Sequence, residues 1–326
     1  MKLKSIKVGE MNNPKWSHLV SNMELTIKKK DVFSSFDSIY TIGSCFAEEI
    51  RKSLSSKNFN LFPKFEKLKF DKLITNIDTL PNRSHMNFYN LPAILQEFRR
   101  SENSLKIVPS DFIIVKDTTF KMLETGQMRF VKQKGQTVYH DILRRWNWSN
   151  SLDELIEVSQ KISELTFQGI TQSNVAVITL GMSEVFMNQK FVANEMPAHL
   201  HGKTNYIPKL LTSSQNLYYL REITNCLRAL NNKLKIIFTI SPVALIRTFL
   251  SNDIYTANLV SKSNLISALF EFMSENPKNV HYFPSYEIVN MLGWDAFKDD
   301  KRHVKETTAN IVVNTFQASY QIKEKV

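Results

Sequence analysis

Two short segments hold residue types able to do covalent chemistry. Gly43-Ser44-Cys45-Phe46-Ala47 puts a hydroxyl and a thiol directly after the β-branched, apolar run Ser38-Ile39-Tyr40-Thr41-Ile42. Asp299-Asp300-Lys301-Arg302-His303-Val304 puts Asp300 three residues before His303. Residues i and i+3 are neighbours on one helical turn, so this second segment can supply an imidazole base together with the carboxylate that orients it. Ser44 would complete a Ser-His-Asp triad. The plain alternative is that Ser44 is a helix N-cap and His303 a solvated surface residue. Cys45 is a rival nucleophile, because a thiol at a helix start can be activated. Cys45 is expected instead to pack inward as a small hydrophobe.

The elements that would position these groups follow from periodicity. Residues 38–42 predict a strand, Gly43 a tight bend, and Phe46 to Leu54 a helix whose N-terminal N–H groups could stabilise an oxyanion. Further on, Ser151 and Glu154 suggest a capping box for a helix bearing Leu155, Val158, Ile162 and Leu165 on one face. Val175 to Leu180 predicts a buried strand. Ser213-Ser214 open a helix that ends at Asn231-Asn232, ahead of a strand over Lys235 to Ile240. A third unit carries Leu259, Leu265, Ile266, Leu269 and Met273 on a helix, breaks at Asn276-Pro277, and continues as a strand over Asn279 to Phe283. This alternation predicts a parallel sheet, whose carboxyl-end loops gather Ser44, Gly181, Ser241 and Pro284 into one crevice.

Between about 64 and 148 the pattern loosens. Phe112 to Val115, Phe120 to Leu123 and Met128 to Val131 suggest short strands, with a hairpin turn at Glu124-Thr125-Gly126-Gln127 and the whole forming an insertion over the site. Trp146 and Trp148 could stack on a sugar or close an apolar lid. Ser241-Pro242-Val243 could act in the chemistry or simply form a turn.

The chain resembles the GSCFA family, named for the pentapeptide at 43–47 and grouped with SGNH or GDSL-like hydrolases. The resemblance extends through Thr179-Leu180-Gly181-Met182-Ser183-Glu184-Val185-Phe186, Ser241-Pro242-Val243, Ala257-Asn258 with Ser261-Lys262, Tyr282 to Glu287, and Asp300 with His303. It implies a three-layer α/β sandwich with a central parallel sheet of flavodoxin-like, SGNH type and an inserted cap. An N-terminal extension over 1–36 would pack on a domain spanning 37–326. It further implies Ser44 as nucleophile, His303 as base and Asp300 as orienter. The oxyanion hole would draw on Ser44, Met86, Asn87, Gly181 and Ser183, and the substrate wall on Tyr89, Glu184, Ser241 and Tyr286. Met86 stands where the family usually has glycine. Asn87 is the candidate for the superfamily's oxyanion asparagine, whose place falls near Ser183.

The implied activity is hydrolysis of an acyl ester or O-acyl transfer on a carbohydrate or polysaccharide precursor. No cofactor is implied, although acyl-CoA would be the co-substrate of a transferase. A non-catalytic glycan-binding module is the alternative from another class.

Composition narrows the remaining classes. The chain has 326 residues, 43% of them hydrophobic, which is enough for one large core. Its net charge of +11 is accompanied by scattered basic clusters at Lys28-Lys29-Lys30, Arg99-Arg100 and Arg144-Arg145. Each cluster suggests a solvated face, and no nucleic-acid motif accompanies them. Cys45 and Cys226 make no disulfide framework, and Met1-Lys2-Leu3-Lys4 begins no apolar leader, so the expected setting is the cytoplasm. His199-Leu200-His201 lacks a third metal ligand, and the eight glycines form no phosphate loop. The apolar stretch from Ile236 to Ile246 is too short and too interrupted to span a bilayer.

Overall fold

The computed structural model describes residues 5–9, 15–17, 24–65, 87–122, 128–145, 147–197 and 200–322. A parallel pair, β1 (Ser5–Gly9) and β2 (Glu24–Lys28), precedes the central strand β3 (Ser38–Gly43) and helix α1 (Cys45–Ser55). Then come β4 (Asn60–Phe62), α2 (Leu91–Ser101), the hairpin strands β5 (Ile113–Met122) and β6 (Met128–His140), and the short β7 (Trp148–Ser149). Next are α3 (Leu152–Gln172) and β8 (Val175–Leu180). A small sheet of β9 (Glu184–Met187), β10 (Val192–Ala193) and β11 (Ile207–Leu210) follows. The remaining elements are α4 (Ser213–Leu230), β12 (Lys235–Ile240), α5 (Ile254–Ser274), β13 (Val280–Phe283), α6 (Ser285–Leu292) and α7 (Glu306–Tyr320).

The central sheet is entirely parallel, in the order β13-β12-β8-β3-β4. Counting only these five strands along the chain, that order is 2-1-3-4-5, the flavodoxin-like arrangement, with its switch point between β3 and β8. Strand periodicity divides their side chains between two faces. Tyr40, Ile42, Ala176, Ile178, Leu180, Ile236, Phe238 and Ile240 pack against α2, α3, α4 and α5. Ile39, Val175, Val177 and Ile237 pack against α1, α6 and α7. The result is three layers. Burying a side chain such as Ile178 or Ile237, each 0% exposed, contributes about 1.5–3 kcal/mol.

The segment between β4 and β8 differs from expectation in several respects. Residues 113–122 form one long strand instead of two short ones, bent by a bulge between Lys116 and Thr118, with Asp117 at φ 50°. The turn expected over 124–127 lies outside the described residues. Helix α2 was not anticipated, yet its Leu91, Ile94, Leu95 and Phe98 belong to the main core. Trp148 packs against Phe130 and His140, the lid-like alternative, whereas Trp146 lies outside the described residues.

Two of the supposed basic surface clusters contain buried ion pairs. Arg144 and Glu97 are both inaccessible and paired at 2.7 Å, and Arg100 meets Asp141 at 2.7 Å. Amphipathic pattern alone places these arginines outside, but Glu97 and Asp141 draw them in. The expected capping box at α3 is only half formed. Ser151 accepts the Glu154 N–H, while the Glu154 carboxylate accepts the Ser149 hydroxyl instead of returning to Ser151. A complete box forms at α4 between Thr212 and Gln215.

Candidate active site

The turn after β3 is shaped by crowding. Gly43 sits at φ +136°, and a Cβ there would lie 2.1 Å from the Thr179 carbonyl oxygen of β8, so no other residue fits this backbone. The turn places Ser44 at the N-cap of α1, where its hydroxyl oxygen accepts the Phe46 N–H at 3.3 Å. Ser44 is therefore the cap that the bland reading foresaw, and it also faces a cavity.

That cavity, about 480 Å³, lies over the carboxyl ends of β3, β8 and β12. Ser44, Cys45, Tyr89, Gly181, Glu184, Ser241 and His303 all line it, so three of the four expected strand ends meet at one crevice, whereas Pro284, at the end of the edge strand β13, does not line it. Asp300 lies behind the histidine. His303 Nδ1 bonds Asp300 Oδ2 at 2.5 Å, and the His303 backbone N–H donates to Asp300 Oδ1 at 2.9 Å. Those bonds from the His303 ring and backbone, with a further one from the Arg302 N–H, hold the Asp300 carboxyl well below the usual carboxylate range. The other ring nitrogen is also occupied: Arg302 Nη1 lies 2.8 Å from His303 Nε2. A guanidinium can only donate, so Nε2 accepts and the imidazole proton sits on Nδ1.

A buried lysine joins two of the strand-end loops. Lys262, on α5 and 1% exposed, donates from Nζ to the carbonyls of Gly181 at 2.5 Å and Ser241 at 2.8 Å. Burial first, and the nearby Arg302 second, lower its pKa to about 7. Gly181 itself is pressed against the Tyr89 carbonyl, 2.5 Å from where a Cβ would stand. Asn194 braces the same region, accepting the Tyr89 N–H at 2.9 Å and donating to the Asn87 carbonyl at 2.8 Å.

The chain matches the family model described as "GSCFA family" over residues 38–316. The chain belongs to the GSCFA family. A comparison with curated proteins returns no significant match. The GSCFA match runs from the first residue of β3 into α7, and so takes in the whole central sheet, Ser44, Lys262 and the Asp300–His303 pair.

Several residues expected at the GSCFA site serve other ends. Ser183 is wholly buried and turned inward: its hydroxyl donates to the Ser261 carbonyl at 2.9 Å and accepts from Asn216 at 3.0 Å. Tyr286 packs against the core instead of lining the cavity. Glu184 does reach the cavity, but its carboxylate accepts the Thr248 hydroxyl at 2.7 Å and the Phe249 N–H at 2.8 Å, which fixes the loop after β12. The Ser241 hydroxyl accepts the Val243 N–H at 3.2 Å, forming a turn.

Of the expected oxyanion donors, the Ser44 N–H is already donated to the Thr179 carbonyl at 3.1 Å. Met86 lies outside the described residues. The Asn87 amide is buried beside Cys45, with Nδ2 3.7 Å from the sulfur. Cys45 does not pack inward as expected; it lines the cavity, with the Tyr89 hydroxyl 3.6 Å away. Burial pushes the Tyr89 phenol well above its usual range, so it stays protonated and able to donate.

Residues not expected at the site complete the wall: Arg145, assigned from the sequence to a solvated basic cluster, with Arg247, Arg302, Asn194 and Glu195. Their signal was absent because each gains its role only through contacts made across the fold. His201 stacks on Phe249 at 4.4 Å between centroids, and His199 lies outside the described residues. Among the described residues no cluster of three or more His, Cys, Asp or Glu could hold a metal. Likewise, no described helix is long and apolar enough to cross a membrane.

Proposed function

We propose that this GSCFA protein is a serine acyl-ester hydrolase or O-acyltransferase of SGNH type, acting on a carbohydrate or polysaccharide precursor. One observation carries the reading: Ser44 and a His303 oriented by Asp300 line the same cavity at the carboxyl ends of parallel strands. In this mechanism Ser44 Oγ bonds the ester carbonyl carbon while its proton passes to His303 Nε2. Asp300 accepts the hydrogen bond from the proton that stays on Nδ1 and steadies the imidazolium. The leaving oxygen takes the proton from Nε2, leaving an acyl-Ser44 that water or a sugar hydroxyl resolves. The Cys45 N–H, at the first position of α1, would offer the developing oxyanion a donor not tied within the helix. Transfer from acyl-CoA would require a cytoplasmic setting, where that donor is made.

A fluorophosphonate probe tests the nucleophile. Mass should be added at Ser44 and none in Ser44→Ala; undiminished labelling of that variant would end the assignment. Free acetate release compared with acetyl-CoA consumption, with glycan acceptors present, separates hydrolase from transferase. One observation favours a non-catalytic glycan-binding module instead: the Ser44 N–H and His303 Nε2 are both occupied by internal partners. That reading predicts glycan affinity surviving in Ser44→Ala with no turnover in either protein.

A further inference from the structure

The cavity wall is unbalanced in charge. Arg145 is matched by Glu195 at 3.0 Å, and the Glu184 carboxylate is committed to the loop after β12. Arg247 and Arg302 have no carboxylate partner among the described residues. Among the described residues the Arg302 side chain bonds neutral acceptors, the Ala244 carbonyl at 2.9 Å through Nε and His303 Nε2 at 2.8 Å through Nη1. Three arginines against two glutamates leave the wall net positive, and the two guanidinium groups with no ion-pair partner form a receptor for a carboxylate or phosphate, groups that arginine engages through paired N–H bonds.

The second contact of Arg302 has a chemical consequence. An imidazole that donates from Nδ1 to Asp300 and accepts at Nε2 from Arg302 has no lone pair left for the Ser44 proton. An anion beside Arg302 competes directly for that guanidinium, because it brings an opposite charge and can take two parallel N–H bonds where the imidazole nitrogen takes one.

We propose that Arg302 is a latch on His303 released by an anionic group of the substrate, a carboxylate or phosphate held by Arg302 and Arg247 beside the reacting ester. The proposal rests on the hydrolase or transferase reading for its catalytic half; its binding half stands apart. On binding, Arg302 turns from Nε2 to the anion. Nε2 then takes the Ser44 proton as the Oγ–C bond forms, and returns it to the departing alkoxide as the ester C–O bond breaks. When the anion leaves, Arg302 closes on Nε2 again. The substrate thereby controls the availability of the base, and a neutral ester meets an occupied imidazole. The equilibrium shifts only by the difference in the anion's affinity for the open and closed arrangements.

The test reads His303 directly. In the full chain labelled with ¹⁵N-histidine, the His303 signals are assigned by their loss in His303→Gln. Sodium glucuronate and inorganic phosphate are then titrated separately, against glucose at matched ionic strength. The Nε2 signal should move saturably with at least one anion and not with glucose. Which anion is effective distinguishes a uronic acid from a sugar phosphate. The response should vanish in Arg302→Gln. Arg302→Lys, which keeps the charge without the fork, should respond at least about tenfold more weakly. Arg247→Gln should weaken anion binding while leaving the anion-free Nε2 signal in place.

In parallel, wild type should prefer an acetylated glucuronate over acetylated glucose by at least about tenfold in kcat/KM, a ratio falling toward one in Arg302→Gln. A His303 signal indifferent to both anions overturns the latch, even where the fluorophosphonate labels Ser44. An anion response with Ser44 unlabelled supports the latch and removes the hydrolase reading alone.

Discussion

Asp300 grips His303 at two points, the ring Nδ1 at 2.5 Å and the backbone N–H at 2.9 Å, so one carboxylate fixes both the tautomer and the start of the turn that carries the ring. Asp300→Asn keeps the shape but can donate to Nδ1, which favours the wrong tautomer. Ester turnover should fall about 10²–10⁴-fold. A loss under threefold in steady-state assays would remove Asp300 from the orienting role.

The same carboxylate links stability to pH. Its folded pKa lies below the unfolded value, so its contribution is present above about pH 4 and fades as pH falls further. Because Asp300 is half exposed, the effect is small. Chemical denaturation should show wild type and Asp300→Asn converging as pH is lowered from 5 to 2. A gap that widens toward acid would contradict this sign.

Lys262 moves stability with pH in the same direction, but over a higher range and as the relief of a penalty instead of a gain. Its folded pKa, about 7, lies below the unfolded lysine value of about 10.4, so the unfolded chain binds more protons between these limits. The penalty for burying the charge is full below pH 7 and relieved as pH rises. Stability of wild type relative to Lys262→Met should therefore increase from pH 7 toward pH 10. At pH 7 the variant leaves the Gly181 and Ser241 carbonyls unpaired, and should lose about 1–3 kcal/mol. Urea midpoints across that range check both statements.

Gly43→Ala combines a forbidden φ with a contact of 2.1 Å to backbone, and neither neighbour is a flexible side chain that could give way. A loss of about 2–5 kcal/mol is expected, with the Ser44 turn displaced. Thermal unfolding within 2 °C of wild type would show that the turn adapts.

Removing one partner of the buried Arg144–Glu97 pair strands the other charge. Glu97→Ala should cost about 3–5 kcal/mol, whereas the double replacement Glu97→Leu with Arg144→Met should recover much of that loss. Additive losses in the double variant would mean that the two charges are not coupled.

How far the molecule is legible from its sequence depends on what kind of neighbour each residue needs. Strands β8 and β12 fall on the predicted residues, because buried parallel strands are unbroken apolar runs and the intervening helices keep their period. The positions of Ser44, Gly181 and Ser241 at strand ends follow from those bounds. The direction in which a polar side chain points does not. Ser183 and Glu184 are adjacent, yet one turns into the α4–α5 packing and the other to the cavity. Arg144 and Arg145 likewise divide between a buried ion pair and the cavity wall. Helix α2 was missed because a loosely patterned segment hides an apolar face, Leu91 to Phe98, that gains meaning only against the sheet.

The chain is also laced to itself across its sequence: the N–H groups of Lys30, Val32 and Phe33 donate to carbonyls of Ser319 and Tyr320, and Ile322 donates back to Phe33. A ribosome delivers Ser44 early and this closing seam late. Until residues 303–320 have emerged, Ser44 lacks the histidine that shares its cavity, and the early strands lack the helix that helps to cover one of their faces. Covering of the early strands and assembly of the cavity thus both wait on the segment from His303 through α7, so chains lacking it would expose apolar strand faces and be prone to stick to one another.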